Sequence, residues 1–198
     1  IVKGTKECRQ WRPTLYDFLA HRALTFFLNS EPDITRPANR FTVNNDIYLK
    51  AYPEFVNANI TNPSDSLETK YYGLRLLQDL TRFHQNDSKP DGLIDVELIR
   101  LEHVYNESQN SKKDTLYFSA LKGLQSKFAS SPRVTEIDYK IANWYLQKSS
   151  LYKPLAGDDY KWNKKTAKEI CLEAIKKFPD SYGAAQCKNL ISSIEAKS

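Results

Sequence analysis

Residues 12–28 of the chain read RPTLYDFLAHRALTFFL, and their apolar pattern decides the fold class. The apolar side chains that share one helical face are Leu15, Phe18, Leu19, Ala23, Phe26 and Phe27. Their recurrence at steps of three and four residues is typical of an amphipathic helix that packs this stripe onto a core. Thr14 and Asp17 stand at the spacing of a capping box, and Pro13 blocks extension upstream. The segment therefore predicts a helix that begins just after Thr14.

The same periodicity predicts six further amphipathic helices downstream of residue 66. Their ranges are 67–84, 93–105, 116–128, 134–147, 163–178 and 181–196. Short polar turns join them, which is the pattern of three consecutive αα-hairpins. Phe128 and Phe178 each precede a turn with Pro and Ser, and they are 50 residues apart. Because tetratricopeptide units repeat at about 34 residues, we expect tetratricopeptide-like stacked hairpins with insertions such as 148–159.

Residues 30–66 interrupt the helical pattern with four prolines and many Asn and Ser. We expect an irregular Pro/Asn-rich connector, with one or two helical turns in 48–56 and either a short strand or an anchored loop at 41–43. The predicted fold class is therefore mainly all-α. The predicted division is 1–66, an N-terminal helix plus the connector, and 67–198, three tetratricopeptide-like hairpins that we expect as one packed unit.

Composition excludes several classes of protein. A chain of 198 residues with 40% hydrophobic residues buries a core without help from metals or disulfides. No apolar run approaches the ~18 residues of a transmembrane helix. The net charge of +5 comes from Lys on predicted outer helix faces, with little Arg, so we expect no nucleic-acid binding. The chain begins at Ile1 and contains no Met, from which we expect a fragment or a mature form.

No catalytic, metal-binding or cofactor-binding motif emerges from the residue spacing. Residues 87–98 resemble a calcium loop, but Lys89 occupies loop position 3, where a ligand oxygen is needed, and Leu98 replaces the final Glu. The three histidines, His21, His84 and His103, lack zinc-ligand spacing. We therefore predict no enzyme, no metal and no cofactor, although a deep pocket with perturbed titratable groups would revive an enzymatic hypothesis.

Two groups of residues are candidates for other roles. Cys171 and Cys187 lie eight residues on either side of Pro179, so an antiparallel hairpin would place them on facing helices. They are either a disulfide or two small core residues at a close helix crossing. Tyr152, Tyr160 and Trp162 lie outside any clear apolar stripe. Because aromatic anchors dominate binding patches, we expect these three to form a contact surface.

Several stretches resemble the N-terminal helical region of the large bacterial alpha-2-macroglobulin-like proteins of the Bacteroides group. The resemblance is carried by residues 12–23, by 93–105 with 114–117, and by the turn at 178–181. It implies a helical portion of a much longer exported protein, periplasmic or anchored to the outer membrane, whose downstream β-domains entrap proteases. Residues 171–174 lack the Gln of the family's thioester, so no thioester role carries over.

The resemblance implies a non-catalytic helical interaction or spacer module in a protease inhibitor of the cell envelope. Its expected partners are other domains of the same chain, with proteases or envelope proteins as further candidates. The alternative is a stand-alone tetratricopeptide-like receptor module that binds a glycan or an extended peptide. That alternative predicts a concave groove lined by exposed Tyr and Trp.

Overall fold

The structure is a computed structural model that describes residues 6–29, 40–61 and 68–196. Within these ranges every regular element is helical, which confirms the predicted all-α class. The helices are α1 (Lys6–Trp11), α2 (Leu15–Phe27), α3 (Tyr52–Val56), α4 (Thr69–His84), α5 (Asp91–Glu107), α6 (Lys113–Lys127), α7 (Val134–Lys148), α8 (Asn163–Lys177) and α9 (Tyr182–Glu195). Short 3-10 turns cover Asp46–Leu49 and Ser149–Leu151. Tetratricopeptide-like stacking stays a prediction.

No helix within the described ranges combines the length and apolar character needed to cross a bilayer. The predicted helix bounds agree with the observed ones to within about three residues, the usual scatter of helix ends. The stretch 41–43 forms a loop rather than a strand. Its anchors are the buried Val43 side chain and the Phe41 backbone N–H, which donates to Glu68 Oε1 at 3.1 Å.

The chain consists of two compact units, residues 1–117 and 118–198. Their border lies within α6, whereas the sequence suggested a division between residues 66 and 67. The described part of the connector belongs to the same unit as α4 and α5, because buried side chains of these two helices bind its backbone. On α4, Gln78 Nε2 donates to the carbonyl oxygens of Phe55 and Ala58 at 2.9 and 2.8 Å.

Arg100 links α5 to the connector, as Gln78 links α4 to it, and its side chain is fully buried. Its guanidinium donates to the carbonyl oxygens of Tyr48 and Lys50 and to the Glu97 carboxylate. The same group lies 4.4 Å from the centre of the Phe55 ring. A buried guanidinium is tolerated only when its donors are used and its charge is paired. Arg100 therefore holds the connector against α5.

Helix α2 turns a different face to the core from the one its apolar pattern predicts. The residues it buries are Asp17, Ala20, His21 and Leu24. The exposed fractions on its outer side are 72% for Leu15, 45% for Phe18, 55% for Leu19 and 60% for Phe26. The expectation that this stripe packs onto the core was wrong for these four residues. The predicted capping box is confirmed, since the Thr14 and Asp17 side chains each bind the other's backbone N–H.

The second unit builds its core from α7, α8 and α9 with small and medium side chains. The core residues are Ala142, Ala167, Cys171, Ala174, Cys187, Leu190 and Ile194. Ser181 caps α9 by accepting from the Ala184 N–H at 3.2 Å. Immediately afterwards, Gly183 lies against the backbone of α7 at Thr135 and Glu136. Small residues let these helices approach closely.

Replacing Gly183 by Ala is expected to destabilise the second unit by about 1–3 kcal/mol or more. An added Cβ would lie 2.3 Å from Glu136 N and from Thr135 C, and backbone atoms cannot move aside cheaply. The matched control is Gly123→Ala in α6, where a Cβ meets nothing within 4 Å and helix propensity predicts a gain of up to about 1 kcal/mol. Urea unfolding, together with amide exchange in α7 and α9, measures the change in stability for each of the two variants. Equal effects of the two substitutions would contradict this account of the helix contact.

Candidate functional site

Titratable side chains gather in the first unit between α2, α4 and α5. We call this group the polar cluster; its members are Arg12, Asp17, His21, His84, Asp87 and Asp95. Four of them, Asp17, His21, His84 and Asp95, are buried. Ionisable groups are rarely buried unless they are paired. The polar cluster is therefore the first candidate for a functional site in this unit.

His84, at the end of α4, is the centre of the polar cluster. Its Nε2 lies 2.8 Å from Asp17 Oδ1, and its Nδ1 lies 2.7 Å from Asp87 Oδ2. The second Asp17 oxygen accepts from the Thr14 hydroxyl at 2.8 Å and from the Thr14 N–H at 3.0 Å. One buried carboxylate thus caps α2 and ties it to α4.

Arg12 and Asp95 form the other half of the polar cluster. Arg12 Nε donates to Asp95 Oδ2 at 2.7 Å, which joins the segment between α1 and α2 to α5. His21 lies beside this pair, with its Nε2 3.7 Å from Asp95 Oδ2. That distance is too long for a hydrogen bond, and the buried Nε2 atom has no partner among the described residues.

Burial and the neighbouring charges shift two pKa values in the cluster. Burial alone would raise the pKa of Asp17, but the hydrogen bonds from Thr14 and His84 outweigh it and lower this pKa below its ordinary value. Burial and the Arg12 charge lower the pKa of His21 to about 4, although Asp95 and Asp17 oppose them. His21 is therefore neutral at pH 7, and Asp17 is ionised.

The hydrogen bonds of the polar cluster use its side chains to join helices of the first unit. Both ring nitrogens of His84 are engaged by carboxylates, and the Thr14 hydroxyl is used within the capping box. The neutral His21 is a perturbed base, but its ring is enclosed. A general base must reach the proton that it abstracts. Asp17, His21, His84 and Asp95 are buried, whereas Asp87 at the edge of the polar cluster is exposed.

Within the described residues, no three His, Cys, Asp or Glu side chains are grouped so that they could hold a metal ion. The calcium-like stretch 87–98 is helical from Asp91 onward. Asp91 and Asp95 are buried in that helix, so they do not form a loop around a cation. Residues 87–90 therefore connect α4 to α5, and residues 91–98 form the first two turns of α5.

The second unit contains a groove of about 440 Å³ formed by α6, α7 and α8. Its polar lining includes Lys122, Glu173 and Lys177, which are exposed, and Asp138, which is buried. Burial raises the pKa of Asp138, although Gln125 donates a hydrogen bond to it and both lysines oppose the shift. The groove therefore combines mixed charge with an apolar floor of Phe118, Val134, Ile141, Tyr145 and Ile170.

The structure places the three predicted contact residues in the segment between α7 and α8. Tyr160 and Trp162 are exposed, and Tyr152 is half-buried. No ring contact joins the three within residues 148–162, and none of them lines the groove. Trp162 instead lies under the ammonium groups of Lys161 and Lys165, at 5.3 and 5.9 Å from its ring centre. A contact role for these residues stays a prediction.

Cys171 and Cys187 are brought together as the hairpin spacing predicted. Both are buried on facing helices, their thiols hydrogen-bond to each other, and both are free. The hydrogen bond to Cys171, together with burial, raises the pKa of the Cys187 thiol. The pair packs as small core residues in this structure, and a disulfide stays a prediction.

Sequence reasoning missed the polar cluster and the role of Arg100. The bonds from Asp17 to His84 and from Arg12 to Asp95 join residues 67 and 83 positions apart. The spacing of residues within one segment of the sequence cannot predict pairs that are so far apart. The one available signal was the presence of Asp17 and His21, four residues apart on the polar side of a strongly apolar helix.

Comparison with known proteins identified no relative of this chain. No protein-family model, no curated protein and no solved structure matches this chain.

Replacing Gly92 by Ala is expected to destabilise the first unit by about 1–3 kcal/mol. The new Cβ would lie 2.5 Å from His84 Nδ1, and two carboxylates hold that ring in place. Urea unfolding measures the cost. The double variant Gly92→Ala/His84→Ala serves as the control, because it removes the ring that the Cβ meets. The two single costs should therefore add to more than the cost of the double variant, and strict additivity would refute the contact.

His21 is expected to make the fold less stable as the pH falls from about 6.5 towards 4. The unfolded chain takes up the proton near pH 6.5, but the folded chain takes it up only near 4. Stability is unaffected above this window, and by pH 5 the loss is about 2 kcal/mol. Urea unfolding at pH 7 and pH 5 gives the free energy of unfolding at each pH. The loss of this free energy between pH 7 and pH 5 should be smaller for His21→Gln than for the unchanged protein.

The ring proton resonances of His21 and His103 serve as the internal control for this experiment. Burial also lowers the pKa of His103, so the two rings must be followed separately by NMR. A His21 ring that titrates near pH 6.5 in the folded protein would rule the explanation out.

Proposed function

We propose that this chain is a non-catalytic helical interaction or spacer module of a large exported protein of the alpha-2-macroglobulin-like type. The pairing of the titratable groups in the polar cluster carries this proposal. Asp17 binds His84 and Arg12 binds Asp95 in the first unit, and the Asp17, His84 and Asp95 side chains are buried. Their chemistry is used to hold helices together.

The resemblance of residues 12–23 supplies the rest of the proposal. In this stretch Asp17 binds His84 of α4, and Arg12, which precedes α2, binds Asp95 of α5. The Thr14 side chain holds the Asp17 carboxylate within the cap of α2. The motif that resembles the family is thus a structural element of the first unit. A module of this kind works by contact, and its partners are other domains of the same polypeptide, with proteases or envelope proteins beyond them. The proposed location is the periplasm or the outer membrane.

The groove of the second unit favours a second candidate, a tetratricopeptide-like receptor for an extended peptide. Exposed lysines and Glu173 lie beside an apolar floor, which suits a strand-like ligand with alternating apolar and charged side chains. A glycan ligand is less well supported, because Tyr160 and Trp162 do not line the groove.

The proposed function predicts that the native polypeptide is much longer than 198 residues and is exported. An antibody raised against this module should detect that polypeptide in periplasmic or outer-membrane fractions. The open reading frame should encode an export signal upstream and a β-rich continuation downstream. A native polypeptide that ends near Ser198 would contradict the proposal.

That contrary result would favour the receptor, for which a direct binding test is available. Fluorescent extended peptides would be titrated onto the chain and onto a Lys122→Glu/Lys177→Glu variant. Lys188→Glu is the matched control, since Lys188 is exposed on α9 and does not line the groove. Loss of affinity in the double variant alone would assign the ligand to the groove.

A further inference from the structure

The outer face of α2 is unusual because it is largely apolar and yet exposed to solvent. We define the outer α2 face by Leu15, Phe18, Leu19, Arg22 and Phe26, all of which are exposed. At about 100° per residue, positions 15, 19, 22 and 26 fall within a strip about 60° wide. The strip lies opposite Asp17, Ala20, His21 and Leu24, which the helix buries.

Three large exposed apolar side chains on one strip of a helix, with a fourth, Phe18, beside the strip, are an unusual use of surface. Single exposed apolar residues are common, but contiguous apolar patches with a polar rim mark interaction sites. The helix cannot rotate to bury this strip, because Asp17 is bonded to His84 on the opposite side at 2.8 Å. The outer α2 face is thus held outward by the fold.

Arg22 gives this face a charge preference. It lies four residues from both Phe18 and Phe26 and three from Leu19, so the neighbours on its own strip are apolar. No ion pair joins it to a carboxylate among the described residues. The nearest acid in its own helix, Asp17, is buried on the opposite side and already engaged. A partner that covers this face would desolvate the guanidinium, and it would need a carboxylate opposite it.

We propose that the outer α2 face docks onto an apolar protein surface that carries an Asp or Glu opposite Arg22. The inference rests on the proposed function, because we assign the surface to a further domain of the same polypeptide. The apolar residues supply the buried area, and the ion pair fixes orientation and register. An amphipathic helix or the outer face of a sheet meets this description when one acid interrupts its apolar positions.

A second copy of the chain fits this face less well. In a two-fold antiparallel pair of α2 helices, the axis would pass near the middle of the strip, between Leu19 and Arg22. The two Arg22 side chains would then approach each other within an apolar contact. Like charges at such positions are destabilising. The charge on the strip therefore selects an acidic partner over a second copy.

A lipid surface also fits less well. Helices that lie on membranes are rich in Lys and Arg along the polar face, which flanks the inserted apolar side. The polar face of α2 is buried against the fold and carries Asp17. Residues 1–110 contain 13 Lys and Arg against 15 Asp and Glu, so this part of the chain offers no net attraction to anionic lipid.

A photo-cross-linking amino acid at position 19 tests the inference. It is placed in the complete polypeptide, after that polypeptide has been shown to extend beyond Ser198. The matched control carries the same group at Leu172, an apolar residue of α8 with similar exposure, 49% against 55%. We expect position 19 to cross-link within the same polypeptide, to an apolar segment with an Asp or Glu, about tenfold more than position 172.

Charge reversal at Arg22 then tests the ion pair. Arg22→Glu should reduce the cross-link about tenfold, and reversing the acid of the partner segment should restore it. Lys188→Glu, an exposed charge reversal on α9, should leave it unchanged. Circular dichroism confirms that each variant is folded.

Several outcomes would overturn the docking inference. One is a cross-link at position 19 between two copies of the polypeptide, and another is binding of the polypeptide to anionic vesicles that Leu19→Glu abolishes. Equal cross-linking yields at positions 19 and 172 would also overturn it. So would a cross-link at position 19 whose yield does not change with Arg22→Glu. Because the polypeptide used is already known to continue beyond Ser198, any of these results would leave the proposed function standing. A polypeptide that ends near Ser198 would remove both.

Discussion

The buried carboxylate of Asp17 is the constraint on which the first unit depends. It accepts hydrogen bonds from the hydroxyl and backbone N–H of Thr14 and lies 2.8 Å from His84 Nε2. Leaving a buried charge without one of these partners would be costly, so the carboxylate fixes where α2 begins and how it is rotated. Everything that α2 presents to solvent follows from that rotation. The apolar strip of Leu15, Leu19 and Phe26 faces outward because Asp17 faces inward.

The two units reach stability by different means. The first relies on long-range polar links, in which Arg100 and Gln78 bind backbone carbonyl oxygens of the connector and Arg12 binds Asp95. Such links specify one arrangement of an irregular chain, because each donor has a particular acceptor. The second relies on close packing of small side chains, and Gly183 touches backbone where any larger residue would clash. Regular helices can pack in this way, whereas a proline-rich connector offers no regular face.

The helices were predictable from sequence because their signals are local. Periodicity and caps identified the bounds of six helices and the Thr14–Asp17 box, and the spacing around Pro179 correctly placed Cys171 opposite Cys187. The orientation of α2 was not predictable in this way, since hydrophobicity favours burying Leu15 and Phe26. The opposite outcome depends on a bond between residues 67 positions apart. The division of the chain depends similarly on contacts of Arg100 some 50 residues away along the sequence.

The same distinction bears on function. Perturbed ionisable groups usually indicate a catalytic site, but structural ion-pair networks perturb pKa values too. His21 has the perturbed pKa, yet its ring is enclosed and its neighbours Arg12 and Asp95 are bound to each other. The outer α2 face, by contrast, exposes apolar side chains and one arginine. Buried charge and exposed apolar surface are the reverse of the usual distribution in a self-contained domain. They are consistent with a unit whose α2 helix is completed by contact with another protein surface.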